Sequence, residues 1–208
     1  MTQHPDRKHF PDNCIVLIRH GETKWSLTGQ HTGVTDLPLL PEGEKGARRA
    51  GELIKHLDIG HTFVSPLLRA RQTAELAGLK NYEIDDDLRE WDYGGYEGLT
   101  TDQIREKIGN PDWEIFTNGV VPGDTPGETV EDVSARVSHV VNRVLPLLEE
   151  SNVALVAHGH SLRIFAATFL QKNPRFAGQL RLDAGALSIL GYYHQYPSIE
   201  VWNRRERS

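Results

Sequence analysis

Histidine side chains follow two strongly apolar segments of this 208-residue chain, in the motifs RHG at 19–21 and HGH at 158–160. Each apolar segment has the length of a strand that is buried on both faces, which is typical of a parallel sheet. Ligands of open parallel sheets bind beyond the carboxyl ends of the strands, so we expect His20 and His158 to meet there. A lone histidine is more often a packing or surface residue. Two histidines at matching strand ends indicate a functional site.

A neutral imidazole with one free nitrogen can attack phosphorus, and phosphoryl transfer then needs positive charge around the phosphate oxygens. Arg19 and Arg69 can supply that charge, because a planar guanidinium grips phosphate oxygens with paired hydrogen bonds. Together with His158 they would stabilise the charge of the phosphate oxygens, as a metal ion does in other enzymes. Arg69 and Arg71 lie at the start of a predicted helix, where an ion pair with Glu75 is the alternative role for at least one of them.

The leaving oxygen also needs a proton, and acidic side chains in the segment 87–97 are the candidates for a general acid. A carboxyl group beside a bound phosphate dianion is pushed towards its protonated form, as this role requires. The spacing does not choose between Glu90, Asp92 and Glu97.

The elements that would position these residues alternate between strands and helices. Strands are predicted at residues 14–18, 61–64, 153–157, 187–193 and 199–203, the last two joined as a hairpin around Pro197. Helices are predicted at residues 41–57, 67–77, 102–107, 130–148 and 161–170. Between residues 82 and 118 the apolar residues follow no clear period. We expect a short strand and a loop there, before the helix predicted at 102–107.

This alternation predicts an α/β fold, a three-layer α/β/α sandwich around a mostly parallel central sheet. We expect a single domain over residues 1–208, with flexible tails at 1–12 and 204–208. A capping-box-like start at Thr129 and Asp132 should begin the long helix.

Composition and charge limit the class of protein. A hydrophobic fraction of 38% with 25% charged residues is typical of a folded, water-soluble domain. The formal net charge of −6 argues against general nucleic-acid binding, although a few arginines in one cleft can still hold an anion. Cys14 is the single cysteine, so an internal disulfide and a cysteine metal cluster are excluded.

No apolar segment approaches the roughly 18 residues of a membrane span, and the polar N-terminal residues lack the core of a signal peptide. We therefore predict a cytoplasmic location and no membrane association. The histidines and arginines described above predict a small phosphorylated molecule as the ligand, and we expect no cofactor. The oligomeric state is left open, and a homo-oligomer is compatible with the sequence.

Four motifs, in order along nearly the whole chain, resemble the signature blocks of the histidine phosphatase superfamily, which also contains the phosphoglycerate mutases. They are RHGET at 19–23, SPLLRARQT at 65–73, LREWDYG at 88–94 and AHGHSLR at 157–163. The resemblance implies a phosphoglycerate mutase-like fold and a metal-independent reaction through a phosphorylated histidine. It implies that His20 is phosphorylated, that Glu90 donates the proton, and that the phosphate pocket consists of Arg19, Arg69 and His158.

Longer segments resemble the fungal sedoheptulose 1,7-bisphosphatases of this superfamily. They are WSLTGQHTGVTDLPL at 25–39, DDDLREWDYGGYEG at 85–98, AHGHSLRIFAA at 157–167 and LDAGALSIL at 182–190. Those enzymes are longer than this chain, so the shared segments do not guarantee a shared substrate. The resemblance implies substrate-binding roles for Gly21, Ser26, His31, Thr32, Ser65, Tyr93, Gly159, His160 and Arg163. Plain packing or surface roles are equally compatible with Tyr93 and His31.

The mutases of the superfamily differ from this chain at positions that help to retain a second phosphate. They follow the RHG block with a Trp-Asn pair, where this chain has Trp25 and Ser26, and they carry a lysine where it has Thr101. They also have a longer insertion with paired arginines, whereas 27 residues without such a pair separate Leu99 from Gly127 here. The resemblance therefore favours a phosphatase for a small metabolite, such as a sugar phosphate or sedoheptulose 1,7-bisphosphate, over a mutase.

Two hypotheses from other classes stay open. His158 and His160 could begin a metal site, although the sequence indicates no third ligand. The chain could also be a catalytically weak module that binds phosphorylated ligands. Against this, every position that catalysis requires in the motifs is filled.

Overall fold

The strands of the computed structural model, which describes residues 13–205, form one mixed sheet in the order β3-β2-β4-β1-β5-β6. Their bounds are β1 (Ile15–Arg19), β2 (Ile59–Val64), β3 (Glu83–Ile84), β4 (Asn152–Ala157), β5 (Leu187–Tyr193) and β6 (Tyr196–Arg204). The first four strands are parallel, β5 runs antiparallel to β1, and β6 runs antiparallel to β5. The predicted, mostly parallel sheet is confirmed. The tail predicted at residues 1–12 lies outside the described residues.

The helices alternate with these strands, as the sequence predicts. They are α1 (Lys24–Thr28), α2 (Pro41–Ile54), α3 (Leu68–Leu76), α4 (Thr101–Ile108), α5 (Ile115–Asn118), α6 (Val130–Leu147) and α7 (Gly159–Phe169). Short 3₁₀ helices occupy Asp86–Leu88 and Pro174–Gln179. The sequence pattern did not predict α1 or α5, which are five and four residues long. No helix in residues 13–205 combines the length and apolar composition that a bilayer span requires.

Helices cover both faces of the sheet, because successive side chains of β1 point to opposite sides. Ile15 and Leu17 pack into a core that includes the inner faces of α6 and α7. Val16 and Ile18 pack into a second core with α2 and α3. This arrangement explains why the strand is apolar at every position, and it confirms the three-layer α/β/α sandwich.

The longest helix, α6, begins as predicted. The Thr129 side chain accepts from the backbone N–H of Asp132, and the Asp132 carboxylate accepts from the backbone N–H of Thr129. This reciprocal pair satisfies two backbone donors that the helix itself cannot satisfy. Five valines on one face are buried against the sheet: Val130, Val133, Val137, Val140 and Val144.

The β5–β6 hairpin differs from the prediction, since it turns at residues 194–195 and not around Pro197. His194 has a φ of 56°, in the left-handed region that tight turns use. Pro197 lies inside β6 and pairs with Tyr192. β6 is an edge strand, and proline is tolerated there because one side of the strand donates to no neighbour.

Two residues of the tail predicted at 204–208 are described in the structure. Arg204 is the last residue of β6, and Arg205 forms an ion pair with Asp183 at 3.1 Å. Residues 206–208 lie outside the described part of the chain.

Candidate active site

Parallel pairing of β1 and β4 places the two histidine motifs side by side. Arg19 pairs with Ala157, and the backbone N–H of His20 donates to the Ala157 carbonyl at 2.9 Å. The next residue of each strand is therefore a histidine at the same edge of the sheet. The ring centroids of His20 and His158 are 5.2 Å apart, as the strand-end argument predicts.

The imidazole of His20 is held in one tautomer. Its Nδ1 atom lies 2.7 Å from the Gly21 carbonyl oxygen, and because a carbonyl can only accept, Nδ1 carries the proton. Burial, together with the charges of Arg69 and Arg19, holds the pKa of His20 well below its usual value of 6.5. His20 is therefore neutral near pH 7, with the lone pair on Nε2.

His158 is also neutral, but both of its ring nitrogens have protein partners. Nδ1 accepts from Nε of Arg69 at 3.1 Å, so Nε2 carries the proton and donates to Oγ of Ser65 at 2.7 Å. Burial and the charge of Arg69 lower the pKa of His158 well below its usual value. His158 is thus fixed beside His20.

Arg69, on the first turn of α3, is a fully buried cation. Besides His158, its guanidinium donates to three carbonyl oxygens of the loop 32–35 at 2.9–3.1 Å. Burial lowers the pKa of Arg69, whereas the carboxylate of Glu90 raises it. These contacts replace the alternative ion pair with Glu75, whose carboxylate accepts from the Tyr82 hydroxyl. Arg69 therefore places a positive charge next to His158, on the side away from the cavity.

Arg19 reaches the same site from the end of β1. One of its terminal nitrogens donates to the Leu182 carbonyl at 2.5 Å, while its buried Nε has no hydrogen-bond partner among residues 13–205. A Cβ at position 159 would lie 3.2 Å from both Cζ and Nε of Arg19. Gly159 therefore lets the start of α7 pack closely against the guanidinium, which keeps an unused N–H group at the site.

Glu90 binds the beginning of α7. Its Oε1 atom accepts from the backbone N–H groups of Trp91 and Ser161, both at 3.0 Å, and its Oε2 atom accepts from that of His160 at 3.0 Å. The N-cap residue of α7, His158, makes no side-chain capping bond, so the carboxylate from a distant segment performs that role. Glu90 is thereby fixed near the histidine pair.

A cavity of about 180 Å³ opens in front of these groups. Ten of the fourteen residues singled out from the sequence line it: Arg19, His20, Ser26, His31, Thr32, Glu90, Tyr93, Gly159, His160 and Arg163. Its lining also includes Gly29, Gln30 and Leu182, which the sequence analysis missed. Gly29 and Gln30 could have been found, since they lie between two predicted residues. Leu182 could not, because it contributes a backbone carbonyl.

Four predicted residues are outside this lining. Arg69 and His158 contact the site from behind it, as described above. Ser65 was expected to bind substrate, but it is fully buried beneath His158 and is bonded to it. Gly21 was also expected to bind substrate, but it is outside the cavity lining, and its carbonyl oxygen contacts Nδ1 of His20.

Gly21 lines a different cavity, of about 340 Å³, beside the start of α2. That cavity also includes Gly43, Arg49 and Arg205. It contains neither His20 nor Glu90, so its greater volume does not make it the reaction site. We assign the chemistry to the smaller cavity, which holds both.

Polar side chains line the outer part of the active-site cavity, and its two histidines and its tyrosine are neutral. The Tyr93 hydroxyl and Nδ1 of His160 form a hydrogen bond of 2.7 Å. Burial raises the pKa of Tyr93 well above its usual value, so the hydroxyl keeps its proton. Burial and the charge of Arg163 lower the pKa of His160. Burial also lowers the pKa of His31 to about 4, and its buried Nε2 has no partner in the described residues. Neutral imidazoles can hydrogen-bond to the hydroxyl groups of a substrate.

Arg163 brings the outermost charge to this cavity. Its guanidinium donates to the carbonyl oxygens of Ala177 and Gly178 at 2.9 and 3.1 Å and lies 4.8 Å from the centre of the Phe116 ring. These contacts hold the side chain in place on α7.

The other two acidic candidates have structural partners. Asp92 accepts from the hydroxyl of Thr125 at 2.5 Å. Glu97 accepts from the backbone N–H groups of Gly33 and Thr35 at 2.9–3.0 Å. Neither lines the active-site cavity in the described part of the chain. The geometry therefore favours Glu90, a choice that sequence spacing left open.

The metal-site hypothesis is not supported by the side chains around His158 and His160. Nδ1 of His158 accepts from Arg69, and Nδ1 of His160 is hydrogen-bonded to the Tyr93 hydroxyl. Within residues 13–205, no group of three or more His, Cys, Asp or Glu side chains is arranged to hold a metal ion.

Comparisons with known proteins agree with the motifs. Residues 15–205 match the family model of the histidine phosphatase superfamily, branch 1. An acid phosphatase of Mycobacterium tuberculosis is 38% identical over 189 residues, which cover 90% of this chain and 90% of that protein. The sedoheptulose 1,7-bisphosphatase of Saccharomyces cerevisiae is 40% identical over 184 residues, which cover 74% of this chain and 66% of that enzyme.

A solved structure of a protein from Mycobacterium tuberculosis superposes with a TM-score of 0.87 at 36% identity, covering 93% of this chain and 98% of that one. Mutases match as well. The 2,3-bisphosphoglycerate-dependent phosphoglycerate mutase of Azorhizobium caulinodans is 32% identical over 186 residues, 84% of this chain and 90% of that enzyme. The superfamily resemblance and the phosphoglycerate mutase-like fold are confirmed.

Proposed function

Because this chain belongs to the histidine phosphatase superfamily and is a phosphatase, we propose that it hydrolyses small phosphorylated metabolites through a phosphohistidine at Nε2 of His20. The observation that carries the proposal is the fixed tautomer of His20. Nδ1 is bound to the Gly21 carbonyl, and the lone pair is left on Nε2 next to the cationic Arg19 and Arg69. A neutral nucleophile beside two guanidiniums is what attack on a phosphate dianion requires.

In the first step, Nε2 of His20 attacks phosphorus as the bond from phosphorus to the leaving oxygen breaks. Arg19 stabilises the charge of the transferring group directly, and Arg69 does so from behind His158. Glu90 gives its proton to the leaving oxygen, and the dephosphorylated alcohol departs.

In the second step, the Glu90 carboxylate takes a proton from water as that water attacks phosphorus. The bond from phosphorus to Nε2 breaks, and inorganic phosphate and neutral His20 are released. The proton taken from water restores the protonated form of Glu90 for the next cycle, so no external acid or base is consumed.

For the substrate, we propose a sugar phosphate or bisphosphate, with sedoheptulose 1,7-bisphosphate as the first candidate. The yeast relative that carries this name supports the proposal, as do the polar side chains and Arg163 at the outer part of the cavity. The volume of about 180 Å³ is below the roughly 300–1,000 Å³ of sites that enclose drug-sized ligands. The reacting phosphate and a few neighbouring atoms would fill it, and a longer substrate would extend beyond its rim.

A phosphoglycerate mutase is the second candidate function, since mutases are among the relatives. A mutase must retain the bisphosphorylated intermediate, which takes additional cations. Thr101, at the position where mutases carry a lysine, begins α4, and no lysine lines the cavity within residues 13–205. This supports hydrolysis over transfer.

We also propose that the enzyme works in the cytoplasm on a small-molecule partner. Cys14 is the single cysteine and is buried, so the chain makes no internal disulfide, as is usual in reducing compartments. The net charge of −6 supports a ligand other than nucleic acid.

The test is a panel of mono- and bisphosphorylated sugars and glycerates, together with p-nitrophenyl phosphate, each assayed with and without EDTA. Released phosphate and mutase product are both measured. In parallel, phosphoenzyme is trapped by acid-free denaturation after mixing with labelled substrate, in the wild type, in His20→Ala and in His56→Ala. His56 is an exposed histidine and serves as the matched control.

We expect EDTA-resistant phosphate release, with a sugar phosphate among the best substrates, and label on the wild type and the His56→Ala protein. The His20→Ala protein should fold, carry no label and show no turnover. Label on His20→Ala would refute the phosphohistidine assignment. Mutase product in excess of released phosphate would favour the second candidate, and loss of activity in EDTA would indicate a metalloenzyme.

A further inference from the structure

An ion pair between Glu128 and Arg136 lies next to the backbone of Glu90. Arg136 donates from Nε to Oε1 of Glu128 at 2.7 Å and from one terminal nitrogen to Oε2 at 2.9 Å. The two side chains are only 11% and 24% exposed, for Arg136 and Glu128 respectively. Shielded pairs of this kind are costly to desolvate, so stability alone is a weak reason for their presence.

The arginine of this pair binds the chain before and at Glu90. One terminal nitrogen donates to the carbonyl oxygens of Asp87 and Arg89, at 2.8 and 2.7 Å, and the other donates to that of Glu90 at 3.1 Å. Three carbonyl groups of residues 87–90 are therefore anchored to a single guanidinium on α6. The planar, forked geometry of arginine suits this purpose, and that of lysine does not.

The glutamate of the pair binds the chain after Glu90. Its Oε2 atom accepts from the backbone N–H of Asp92 at 2.9 Å, and its own carbonyl accepts from the indole of Trp91 at 2.7 Å. The backbone N–H of Glu128 donates to the Asp92 carbonyl at 2.9 Å. Both sides of Glu90 are thus fixed by one pair of residues.

We infer that Glu128 and Arg136 are positioning residues for the general acid: they hold the backbone of Glu90 so that its carboxyl group reaches both the cavity and the beginning of α7. The inference rests on the acid role proposed for Glu90. Without the pair, the carboxyl group would still be present, but the segment that carries it would shift. A displacement of about 1 Å in a catalytic group can cost roughly 100-fold in rate.

Leaving-group dependence distinguishes this role from general support of the fold. p-Nitrophenolate leaves with little help from an acid, whereas phenolate needs a proton, and the two phosphate esters are of similar size. A mispositioned acid should therefore reduce kcat/KM for phenyl phosphate more than for p-nitrophenyl phosphate. A loss of folded protein would reduce both equally.

The experiment compares kcat/KM for the two esters in Glu128→Gln, Arg136→Lys and Glu90→Gln, with thermal melting to measure the folded fraction. Arg143→Lys is the matched control. Arg143 lies two turns further along α6 and forms its ion pairs with Asp85 and Asp87 instead of with the backbone of residues 89–92. Glu128→Gln keeps the shape of the side chain, so it tests the inference if Arg136→Lys fails to fold.

We expect kcat/KM for phenyl phosphate to fall at least about 10-fold more than for p-nitrophenyl phosphate in Glu128→Gln, Arg136→Lys and Glu90→Gln, within the range that general acids contribute. Arg143→Lys should leave the ratio unchanged. If Glu90→Gln shows the selective loss and the folded Glu128→Gln protein does not, the positioning inference is wrong while the acid assignment stands. If Glu90→Gln itself affects both esters equally, the acid assignment fails and the inference fails with it.

Discussion

Arg69 donates its Nε–H to Nδ1 of His158 at 3.1 Å, and this bond fixes the tautomer of the histidine and the plane of the guanidinium together. The two residues are 89 positions apart in the chain. Because Arg69 also binds three carbonyl oxygens of the loop 32–35, one side chain joins α3, the start of α7 and a cavity-lining loop. The active site therefore depends on the shape of this guanidinium as well as on its charge.

Arg69→Lys should reduce kcat/KM for p-nitrophenyl phosphate by about 100-fold, because losing the bonds to His158 and to the loop 32–35 would displace groups of the active site, and a shift of about 1 Å costs roughly that factor. Lysine keeps a charge but cannot reach four acceptors in a plane. Arg71→Lys, two residues further along α3, is the control and should retain wild-type activity. The measurement is kcat/KM from steady-state kinetics of both variants and the wild type. Activity within tenfold of wild type in Arg69→Lys would show that charge alone is sufficient.

The tautomer of His20 can be observed directly by NMR. Burial, Arg69 and Arg19 hold its pKa well below 6.5, so as the pH falls through 6.5 the imidazole should stay neutral with the proton on Nδ1. We expect the nitrogen-15 signals of His20 to show a protonated Nδ1 and a bare Nε2 from pH 8 to pH 6. The signals are assigned by their absence in His20→Gln. A titration midpoint near 6.5, or a proton on Nε2, would contradict the structure.

Gly21→Ala should destabilise the protein, because a Cβ at this position would lie 2.3 Å from the carbonyl oxygen of Gly43. Two backbone segments would have to separate, and overpacking of this kind costs about 1–3 kcal/mol. Urea unfolding measures the free energy. Gly46→Ala, in the same helix as Gly43 and with no atom within 4 Å of the added Cβ, is the control.

The control should be neutral or stabilising by about 0.5–1 kcal/mol, because alanine is a better helix former than glycine. Equal unfolding free energies for Gly21→Ala and wild type would mean that the loop after β1 is more adaptable than its close contact with α2 indicates.

His31 should make the stability of the fold depend on pH. Burial lowers its pKa to about 4, whereas in the unfolded chain a histidine titrates near 6.5. Between these values the unfolded chain binds a proton that the folded protein does not, so stability is lost as the pH falls from 6.5 towards 4. The contribution is at most about 1.4 kcal/mol per pH unit.

In His31→Gln this contribution is absent. Between pH 6 and pH 5, the variant should lose about 1 kcal/mol less unfolding free energy than the wild type, as measured by urea unfolding at both values. Equal losses in the two proteins would place the His31 imidazole in contact with water.

The meeting of the two histidines could be predicted from local sequence, because the apolar runs show where the strands end. Continuous apolar runs predicted the parallel strands, and the residues directly after them were therefore expected at one edge of the sheet. The register of β1 and β4 brings His20 and His158 together for this reason. The long helix α6 could also be predicted, from its capping box and from the spacing of its valines. Predictions of this kind succeed where neighbours in the chain decide the structure.

Other features depended on contacts between distant residues, which no local pattern records. The sequence left three carboxyl groups as candidates for the acid, and only the fold brings Glu90 to the beginning of α7 while giving Asp92 and Glu97 other partners. Ser65 belonged to a recognisable motif, yet packing placed it beneath His158 and outside the cavity. Residue types determined which chemistry was available. Long-range hydrogen bonds, which depend on how the layers pack, decided which of those residues line the cavity.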